Sequence, residues 1–166
     1  MEYRVIYAND YNKNKGFYLN LINKMFQDDN NKLANIQEIS NHLDFIFNTD
    51  YNLKSFLILL FENNDVISMI NGYEYDNKNN DWCLLALYTK KDSRKYGYGE
   101  KMLKLAIDEV KKHNYSKIIV GIEKENIPSI KLHEKVGFKY SNCDWDELAD
   151  GFPKNHLGYC YESKER

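Results

Sequence analysis

The chain has 166 residues, a formal net charge of −2 from 23 basic and 25 acidic residues, and 43% hydrophobic residues. This length suits a full hydrophobic core, and we expect a single domain over residues 1–166. Basic residues form no long block, which argues against a nucleic-acid partner, and no apolar run is long enough to span a membrane. Because the N-terminus also lacks a signal-peptide pattern, we expect a cytoplasmic protein.

The first half of the chain alternates between strand and helix patterns. Apolar periodicity predicts, in order, a strand over Glu2–Tyr7, helices from about Asn14 to Phe26 and over Ile36–Phe47, and strands over Ser55–Phe61 and Val66–Tyr75. Residues 62–65 and 77–80 are rich in Asn and Asp, which is typical of tight turns. The two later strands are therefore expected to form a hairpin.

The centre of the second half is the segment Arg94-Lys95-Tyr96-Gly97-Tyr98-Gly99. The apolar run Trp82–Tyr88 before it predicts a strand buried on both faces. Apolar residues at helical spacing from Met102 to Val110 predict an amphipathic helix after it. The two glycines allow positive φ and close approach of a ligand to the main chain. Since the amides that open a helix have no internal partner, this turn is predicted to bind phosphate.

The remaining segments predict a strand, a helix and a final strand. The amphipathic helix is expected to end near His113, and the apolar run Ser116–Glu123 predicts the next strand. Asn126 has the character of a helix cap and Gly137 that of a helix stop, so a helix is expected between them. A late strand is predicted over about His156 to Tyr161.

Arg-x-x-Gly-x-Gly between a strand and an amphipathic helix resembles the acetyl-coenzyme A signature of the GNAT family of N-acetyltransferases. A second segment matches the family in the expected order: Asn126, Ser129, then Leu132-His133-Glu134-Lys135-Val136-Gly137-Phe138. The resemblance implies an α/β (α+β) fold with a central mixed, mostly antiparallel twisted sheet flanked by helices. It also implies direct transfer of acetyl from acetyl-CoA to a primary amine of a small molecule or peptide, without a metal.

The resemblance implies which residues bind the coenzyme. The main chain where the fourth strand ends would pair with the pantetheine amides as an added strand does, and the turn amides would hold the pyrophosphate. Asn126 either caps its helix or also contacts the coenzyme, and Lys135 either reaches the adenine-ribose phosphate or favours the helix dipole. The implied coenzyme-binding residues are Leu87, Tyr88, Thr89, Arg94, Lys95, Tyr96, Gly97, Tyr98, Gly99, Glu100, Asn126, Ser129 and Lys135.

The catalytic acid and base are less closely defined. Many relatives place a tyrosine, as proton donor for the departing thiolate, where this chain has His133. A histidine can donate that proton if its pKa lies near the working pH, and Tyr140 or water are the alternatives. Some relatives use a carboxylate at the start of the fourth strand as the base, where Asp81 stands here. Others use a glutamate or a water chain, which would suit Glu74 or Glu123.

The acceptor site is expected between residues 27–33 and residues 141–155. Acidic residues in both segments, including Asp28 and Asp29, favour a cationic amine as the ligand, although a solvated charged surface has the same composition. A homodimer is common among relatives. The three cysteines lack metal-ligand spacing, and Cys83 is expected to be a small buried apolar residue.

Two other functions are compatible with the same turn. Because His133 departs from the usual tyrosine, a non-catalytic acyl-CoA-binding, sensing or regulatory module is an alternative to an enzyme. A nucleotide-binding domain is a third interpretation, and it would bind ATP that coenzyme A fails to displace.

Overall fold

The computed structural model describes residues 1–29, 35–48, 54–141 and 155–162. In chain order the elements are β1 (Glu2–Ile6), α1 (Ala8–Asp28), α2 (Ile36–Ile46), β2 (Ser55–Glu62), β3 (Asp65–Asp76), β4 (Asp81–Thr89), α3 (Tyr98–Val110), β5 (Lys117–Glu123), α4 (Ile127–Val136), β6 (Lys139–Tyr140) and β7 (His156–Glu162). Across these residues the strands form one sheet of order β1-β2-β3-β4-β5-β7-β6. Neighbouring strands are antiparallel except β4 and β5, which run parallel. Within the described ranges, no helix is both long and apolar enough to cross a membrane.

The predicted order of elements is confirmed, with two differences. The two-residue strand β6, which pairs with β7, was not predicted because two residues show no periodicity. Helix α1 begins at Ala8, earlier than the predicted Asn14, and Asn14 itself has non-helical φ and ψ of −122° and 22°. Polar, weakly helix-forming residues dominate this first segment, and the burial of Tyr11 is what stabilises it.

Helices cover the sheet on both faces. Helix α3 packs on one face over a core that includes Phe56, Trp82 and Phe138. Helices α1 and α2 pack on the opposite face over a second core that includes Ile22 and Leu43. The apolar stripe of each helix faces the sheet, and the polar stripe faces solvent, as helical amphipathicity requires.

Strands β4 and β5 separate soon after they meet, and this separation positions the site. They pair only at Trp82–Ile118 and Cys83–Ile119. Cys83 is 2% exposed and burial raises the pKa of its thiol to about 12, so the expectation of a buried apolar cysteine is confirmed. Beyond these pairs the edge of β4 that faces β5 has no strand partner among the described residues, and the first turn of α4 lies at the open end.

Candidate functional site

A cleft of about 370 Å³ lies between the separated strands. Residues 84–87 of β4 form one wall and residues 120–123 of β5 form the other. Asn126, Ser129 and His133 of α4 close one side. The cleft therefore offers a free strand edge, apolar side chains and the beginning of a helix within one cavity.

A bulge in β4 shapes the wall of this cleft. Met69 of β3 pairs with Tyr88 and Asn71 pairs with Leu85, so β4 has one more residue than β3 across this interval. Ala86, within the extra length, has φ of +54°. Positive φ in a residue other than glycine is strained, and a bulge of this kind turns main-chain groups out of the ladder toward the cleft.

At the end of β4, two main-chain carbonyls already accept hydrogen bonds from side chains of the protein. The Ser68 hydroxyl donates to the Tyr88 carbonyl at 2.6 Å, and Arg94 Nε donates to the Thr89 carbonyl at 2.9 Å. The Thr89 hydroxyl also lies 2.9 Å from the Ser68 hydroxyl. Of the three residues predicted to pair with pantetheine, Leu87 lines the cleft, whereas the carbonyls of the other two already accept a hydrogen bond.

The turn after β4 has the conformation that its glycines permit. Lys95 and Gly97 have φ of +68° and +81°, and Gly97 precedes α3 without a capping side chain. The first helical bond runs from the Lys101 amide to the Gly97 carbonyl at 3.0 Å. The amides of the residues between them, from Tyr98 to Glu100, therefore lie ahead of the first helical bond and can hold an anion.

The second glycine of the turn serves packing. A Cβ at Gly99 would lie 3.2 Å from Leu132 Cδ2, so its absence lets α3 approach α4 closely. A Cβ at Gly97 would meet nothing within 4 Å. Glycine is thus needed at Gly97 for its backbone angle and at Gly99 for space. Tyr96 is 72% exposed beside this turn, and its ring lies 6.0 Å from that of Tyr98.

Charged side chains beside the turn are paired with one another. Glu100 accepts from Lys104 Nζ at 2.8 Å and from Lys135 Nζ at 2.5 Å. These hydrogen bonds, the one from Lys104 foremost, lower the pKa of Glu100 to about 2. Lys135 consequently bridges α4 to α3 at the edge of the predicted phosphate site, and the three charged groups sum to one positive charge.

Asp29, at the end of α1, bonds Tyr88 in β4 and Lys91 just after it. We call these contacts the brace of the turn. Asp29, 6% exposed, accepts hydrogen bonds from the Tyr88 hydroxyl and from the Lys91 amide, the latter at 2.9 Å. Burial raises the pKa of Asp29, but these hydrogen bonds and the charges of Lys91 and Arg94 outweigh it, so the pKa is lowered. The Arg94 guanidinium carbon lies 5.6 Å from the centre of the Tyr88 ring.

This brace changes the interpretation of the acidic acceptor site. Asp29 binds the protein's own main chain and Tyr88, and Asp28 forms an ion pair with Lys90 at 3.4 Å. Both carboxylates therefore already have partners within the protein, which their acidic character alone did not predict. The acidic residues of 144–150 lie outside the described residues.

Asn126 and Ser129 lie together at the start of α4, as predicted. Asn126 Oδ1 accepts from the Ser129 amide at 3.2 Å, which is the capping arrangement expected from the sequence. Both residues line the cleft. The Ile127 amide donates to the Glu125 carbonyl at 2.9 Å and the Ile130 amide to the Asn126 carbonyl at 3.0 Å, so the amides of this first turn bond the protein itself.

His133 lies in the cleft wall and is held in a defined tautomer. Its Nδ1 lies 2.8 Å from the Ser129 carbonyl oxygen, and since a carbonyl only accepts, Nδ1 carries the hydrogen and Nε2 keeps a lone pair. Its ring packs edge-on against Phe138 at 5.3 Å. Burial lowers the pKa of His133, and the Ser129 carbonyl acts in the opposite direction. The neutral ring therefore accepts a proton at Nε2 before it can donate one.

The other predicted acid and base groups are dispersed. Asp81 begins β4, six residues before Leu87 and about 20 Å from it at the usual strand rise, where it bonds Tyr75 and Lys117. Glu74 is buried against Lys54 at 2.9 Å. Tyr140 is 55% exposed on β6, outside the cleft lining.

Of the three carboxylates considered for the base, Glu123 alone lines the cleft. Among the predicted carboxylates, Glu123 lies in the wall at the end of β5, and it pairs across the sheet with His156, which also lines the cavity. The structure thus brings Glu123 to the cleft and does not bring Asp81 or Glu74 there.

A polar pair on the opposite face of the sheet escaped the sequence reasoning. His42 of α2 lies with Nε2 3.2 Å from Asn71 Oδ1 of β3. Asn71 is fully buried, and its Nδ2 has no hydrogen-bond partner within the described part of the chain. An orphaned buried donor costs about 1–3 kcal/mol. No local pattern joins the two residues, so only the packing of α2 on β3 reveals them.

The comparisons with known proteins agree with this geometry. The sequence model of the acetyltransferase (GNAT) family matches residues 19–138. That range includes the turn before α3, α4 and every residue that lines the cleft except His156. No curated protein matches the chain at a significant level.

Solved structures share the fold across nearly the whole chain. An N-acetyltransferase from Staphylococcus aureus Mu50 is 20% identical, with 97% of each chain covered and a TM-score of 0.66. PaiA N-acetyltransferase from Thermoplasma acidophilum, in complex with coenzyme A, is 14% identical over 98% of this chain and 100% of that one, with a TM-score of 0.62. YncA from Salmonella typhimurium, solved with acetyl-CoA, is 16% identical over 100% and 95%, with a TM-score of 0.63. The predicted fold, with its mixed and mostly antiparallel sheet, is confirmed.

Proposed function

Because the chain belongs to the acetyltransferase (GNAT) family, we propose that it is an acetyl-CoA-dependent enzyme that transfers acetyl directly to a primary amine of a small molecule or peptide. The observation that carries this proposal is the cleft between β4 and β5, with the uncapped start of α3 beyond the end of β4. A free strand edge and a cluster of outward amides are the two features that an extended amide-containing arm with a diphosphate requires.

The pyrophosphate would bind the turn amides from Tyr96 to Glu100. A charge at a helix terminus is worth about 0.3–2 kcal/mol, and each hydrogen bond to a charged group about 1.5–3 kcal/mol. Micromolar affinity represents about 8 kcal/mol, so a few such bonds at this turn supply most of it. The exposed Lys95 and Arg94 beside the turn add positive charge.

The pantetheine arm would lie along the free edge of β4. Leu85, Ala86 and Leu87 line the cleft where β4 has no partner on the β5 side, so amide groups of the arm can bond the strand as an added strand would. The bulge at Ala86 marks the place where the thioester carbonyl would meet the outward-turned main chain.

His133 would move a proton from nitrogen to sulfur. With Nδ1 bonded to Ser129, the Nε2 lone pair takes a proton from the attacking nitrogen, and the resulting imidazolium returns it to the sulfur as the carbon–sulfur bond breaks. Direct attack by the amine is favoured over an acyl-cysteine because Cys83 and Cys160 are buried. Cys143 lies outside the described residues.

Positioning explains why a histidine can replace a tyrosine here. Holding two reactants together lowers a barrier by about 7–11 kcal/mol, whereas a proton-transfer group contributes about 10²–10⁴-fold. The coenzyme site is therefore the larger part of the catalyst, and its acid-base group can vary.

Calorimetry with coenzyme A and acetyl-CoA tests the first half of the proposal. We expect saturable binding by both and no displacement of coenzyme A by ATP. Thiol release from acetyl-CoA in the presence of a panel of primary amines tests the second half. The proposal fails if the chain shows no heat with either coenzyme form. Tight binding with no thiol release on any amine would indicate a non-catalytic acyl-CoA-binding module instead.

A further inference from the structure

His42 and Asn71 form a polar pair on the sheet face that the coenzyme cleft does not use. His42 lies on α2, which packs with α1 over the second core. Asn71 lies two residues from Met69 and two from Tyr73 on β3, so all three side chains face that core. The imidazole is partly exposed, whereas the carboxamide is fully buried. A histidine is thus held at the surface of the sheet by a side chain that has no exposure of its own.

The pair lies beside the bulge in β4. Asn71 pairs with Leu85 at the register shift between β3 and β4, and Leu85 and Ala86 line the cleft. Adjacent strands lie about 5 Å apart, so His42 is separated from the bulge by the width of one strand. His133 approaches the same bulge from the other face, because α4 packs on the α3 side.

The hydrogen bond fixes which nitrogen of His42 is open. The Asn71 Oδ1 atom only accepts, so His42 donates from Nε2 and keeps a lone pair on Nδ1. Within the described residues Nδ1 has no hydrogen-bond partner. On His133 the assignment is reversed, since Nδ1 donates to Ser129 and Nε2 is open. Each histidine therefore keeps one imidazole lone pair, His42 on the α2 side of the sheet and His133 on the α3 side.

The charged groups around His42 leave its ring without a competing partner. On α2 itself, Asp44 is paired with Lys15 at 2.6 Å and Glu38 bonds Asn35 at 3.2 Å. On β3 the next titratable side chain on the same face is the phenol of Tyr73. Burial lowers the pKa of His42, with the Asn71 bond acting in the opposite direction, so the neutral base is present at neutral pH.

We infer that His42 is the catalytic base that removes the first proton from the acceptor ammonium group, and that Asn71 positions it by fixing its tautomer. The inference rests on the proposed function and assigns the acceptor to the α2 side of β4. A ligand amine that reaches the bulge from this side meets His42 Nδ1, while the thioester approaches from the cleft side.

The proton balance uses both histidines. The ammonium group gives one proton to His42 Nδ1, and the free amine attacks the thioester carbonyl. The nitrogen–carbon bond forms and the carbon–sulfur bond breaks, while the second nitrogen proton passes through His133 to the sulfur. His42 then releases its proton to water. One thioester and one ammonium ion thus give one amide, one thiol and one proton.

The test compares matched histidine substitutions in the full chain. The reaction is thiol release from acetyl-CoA with spermidine, an amino-acid amide and an amino sugar as the amines. We expect His42→Gln to lower kcat about 100-fold on any amine that wild type accepts, with the coenzyme affinity unchanged by calorimetry. His113→Gln is the control, since His113 stacks on Trp82 at 5.0 Å at the far end of β4, and it should retain wild-type turnover.

Asn71 needs a measurement that a purely structural residue would not change. Asn71→Asp keeps an oxygen acceptor for His42 Nε2 and adds a negative charge, which raises the pKa of the imidazole. We therefore expect the acidic limb of the kcat/KM profile to move to higher pH. In the unsubstituted protein, nitrogen NMR should show the hydrogen of neutral His42 on Nε2 and that of His133 on Nδ1.

Each outcome bears on the inference separately from the proposed function. Equal turnover by His42→Gln and wild type would overturn the assignment of His42 and leave the proposed function intact, and so would a hydrogen on Nδ1 of neutral His42. An unmoved acidic limb in Asn71→Asp, with folding verified by the melting temperature, would remove Asn71 as the positioning residue. No turnover by wild type on any amine would overturn the proposed function and, with it, this inference.

Discussion

The cleft between β4 and β5 and the α2 face of the sheet present different kinds of atoms. The cleft presents main-chain groups: the amides that open α3 and the free edge of β4. The α2 face presents side chains, with His42 on a helix and Asn71 on a strand. A main-chain site needs glycines at fixed spacing and so leaves a motif, whereas a side-chain site assembled from distant elements leaves none. The difference separates a site recognisable in the sequence from one visible only in the fold.

The first prediction concerns His133, the histidine in the wall of the cleft. We expect His133→Phe to lower kcat about 100-fold, because the ring that relays a proton from nitrogen to sulfur is lost. Coenzyme affinity should stay at the wild-type value, since in the proposed site the diphosphate binds main-chain amides at the turn. Thiol-release kinetics and calorimetry measure the two quantities, and an unchanged rate and pH profile would remove His133 from the mechanism.

The second prediction tests the main-chain character of the turn. Gly97→Val places a β-branched residue at φ of +81°, where strain costs about 2 kcal/mol. If the turn relaxes to relieve that strain, its amides no longer converge, and coenzyme affinity should fall about 30-fold. Because a Cβ at Gly97 meets nothing within 4 Å, the loss reports backbone angle and not a clash.

Gly16→Ala is the matched control for the turn. Gly16 lies inside α1, its Cβ position is also open, and its φ is not positive. Alanine there should stabilise the helix by about 0.5–1 kcal/mol and leave coenzyme affinity unchanged. Equal coenzyme affinities for Gly97→Val and wild type would show that the turn does not depend on its left-handed residue.

The sequence predicts main-chain features better than side-chain contacts between distant elements. Gly97, Asn126 and Gly137 each perform a local backbone task, and the turn, the cap and the helix stop were all predicted from them. The bulge at Ala86 was missed because alanine carries no signal for positive φ. It is imposed by the pairing of β3 with β4, which no local window contains.

Side-chain partners were the other feature that the sequence did not predict. His133 was predicted at the cleft, but its tautomer was not, because its bond to the Ser129 carbonyl depends on the rotamer and not on the sequence. Asp29 was expected beside the acceptor site, and its bonds to Tyr88 and Lys91, which lie about sixty residues later in the chain, were not predicted. Long-range hydrogen bonds decide what a carboxylate does, and the sequence records only that it is acidic.

The third prediction concerns Asp29, whose contacts hold the end of β4 and the segment before the turn. Asp29→Asn removes the charge that holds Tyr88 and the Lys91 amide, and hydrogen bonds to charged groups contribute about 1.5–3 kcal/mol. We expect a loss of about 2 kcal/mol in the free energy of unfolding and coenzyme binding weakened about fivefold as the turn loosens. Denaturant unfolding and calorimetry measure the two effects.

Asp28→Asn is the neighbouring control for this brace. Asp28 and Lys90 form a partly exposed pair at 3.4 Å, and such pairs contribute about 0–1 kcal/mol. The control should therefore differ little from wild type. If Asp28→Asn and Asp29→Asn behaved alike, the brace would have no special role in holding the turn.

The smallest expected effect compares the two histidines through the pH dependence of stability. Burial lowers the pKa of both His42 and His133 in the folded protein, against hydrogen bonds that act the other way. Below about pH 6.5 the unfolded chain binds a proton at each site and the folded chain resists it, so the free energy of unfolding falls as pH decreases. Above that pH neither group contributes. We expect a lower melting temperature at about pH 5.5 than at about pH 7.5, with the decrease reduced in His133→Phe and in His42→Gln and reduced further in the double variant. A decrease as large in both single variants as in wild type would show that neither imidazole is held neutral, and the two lone pairs assigned to the bulge would then be occupied by protons.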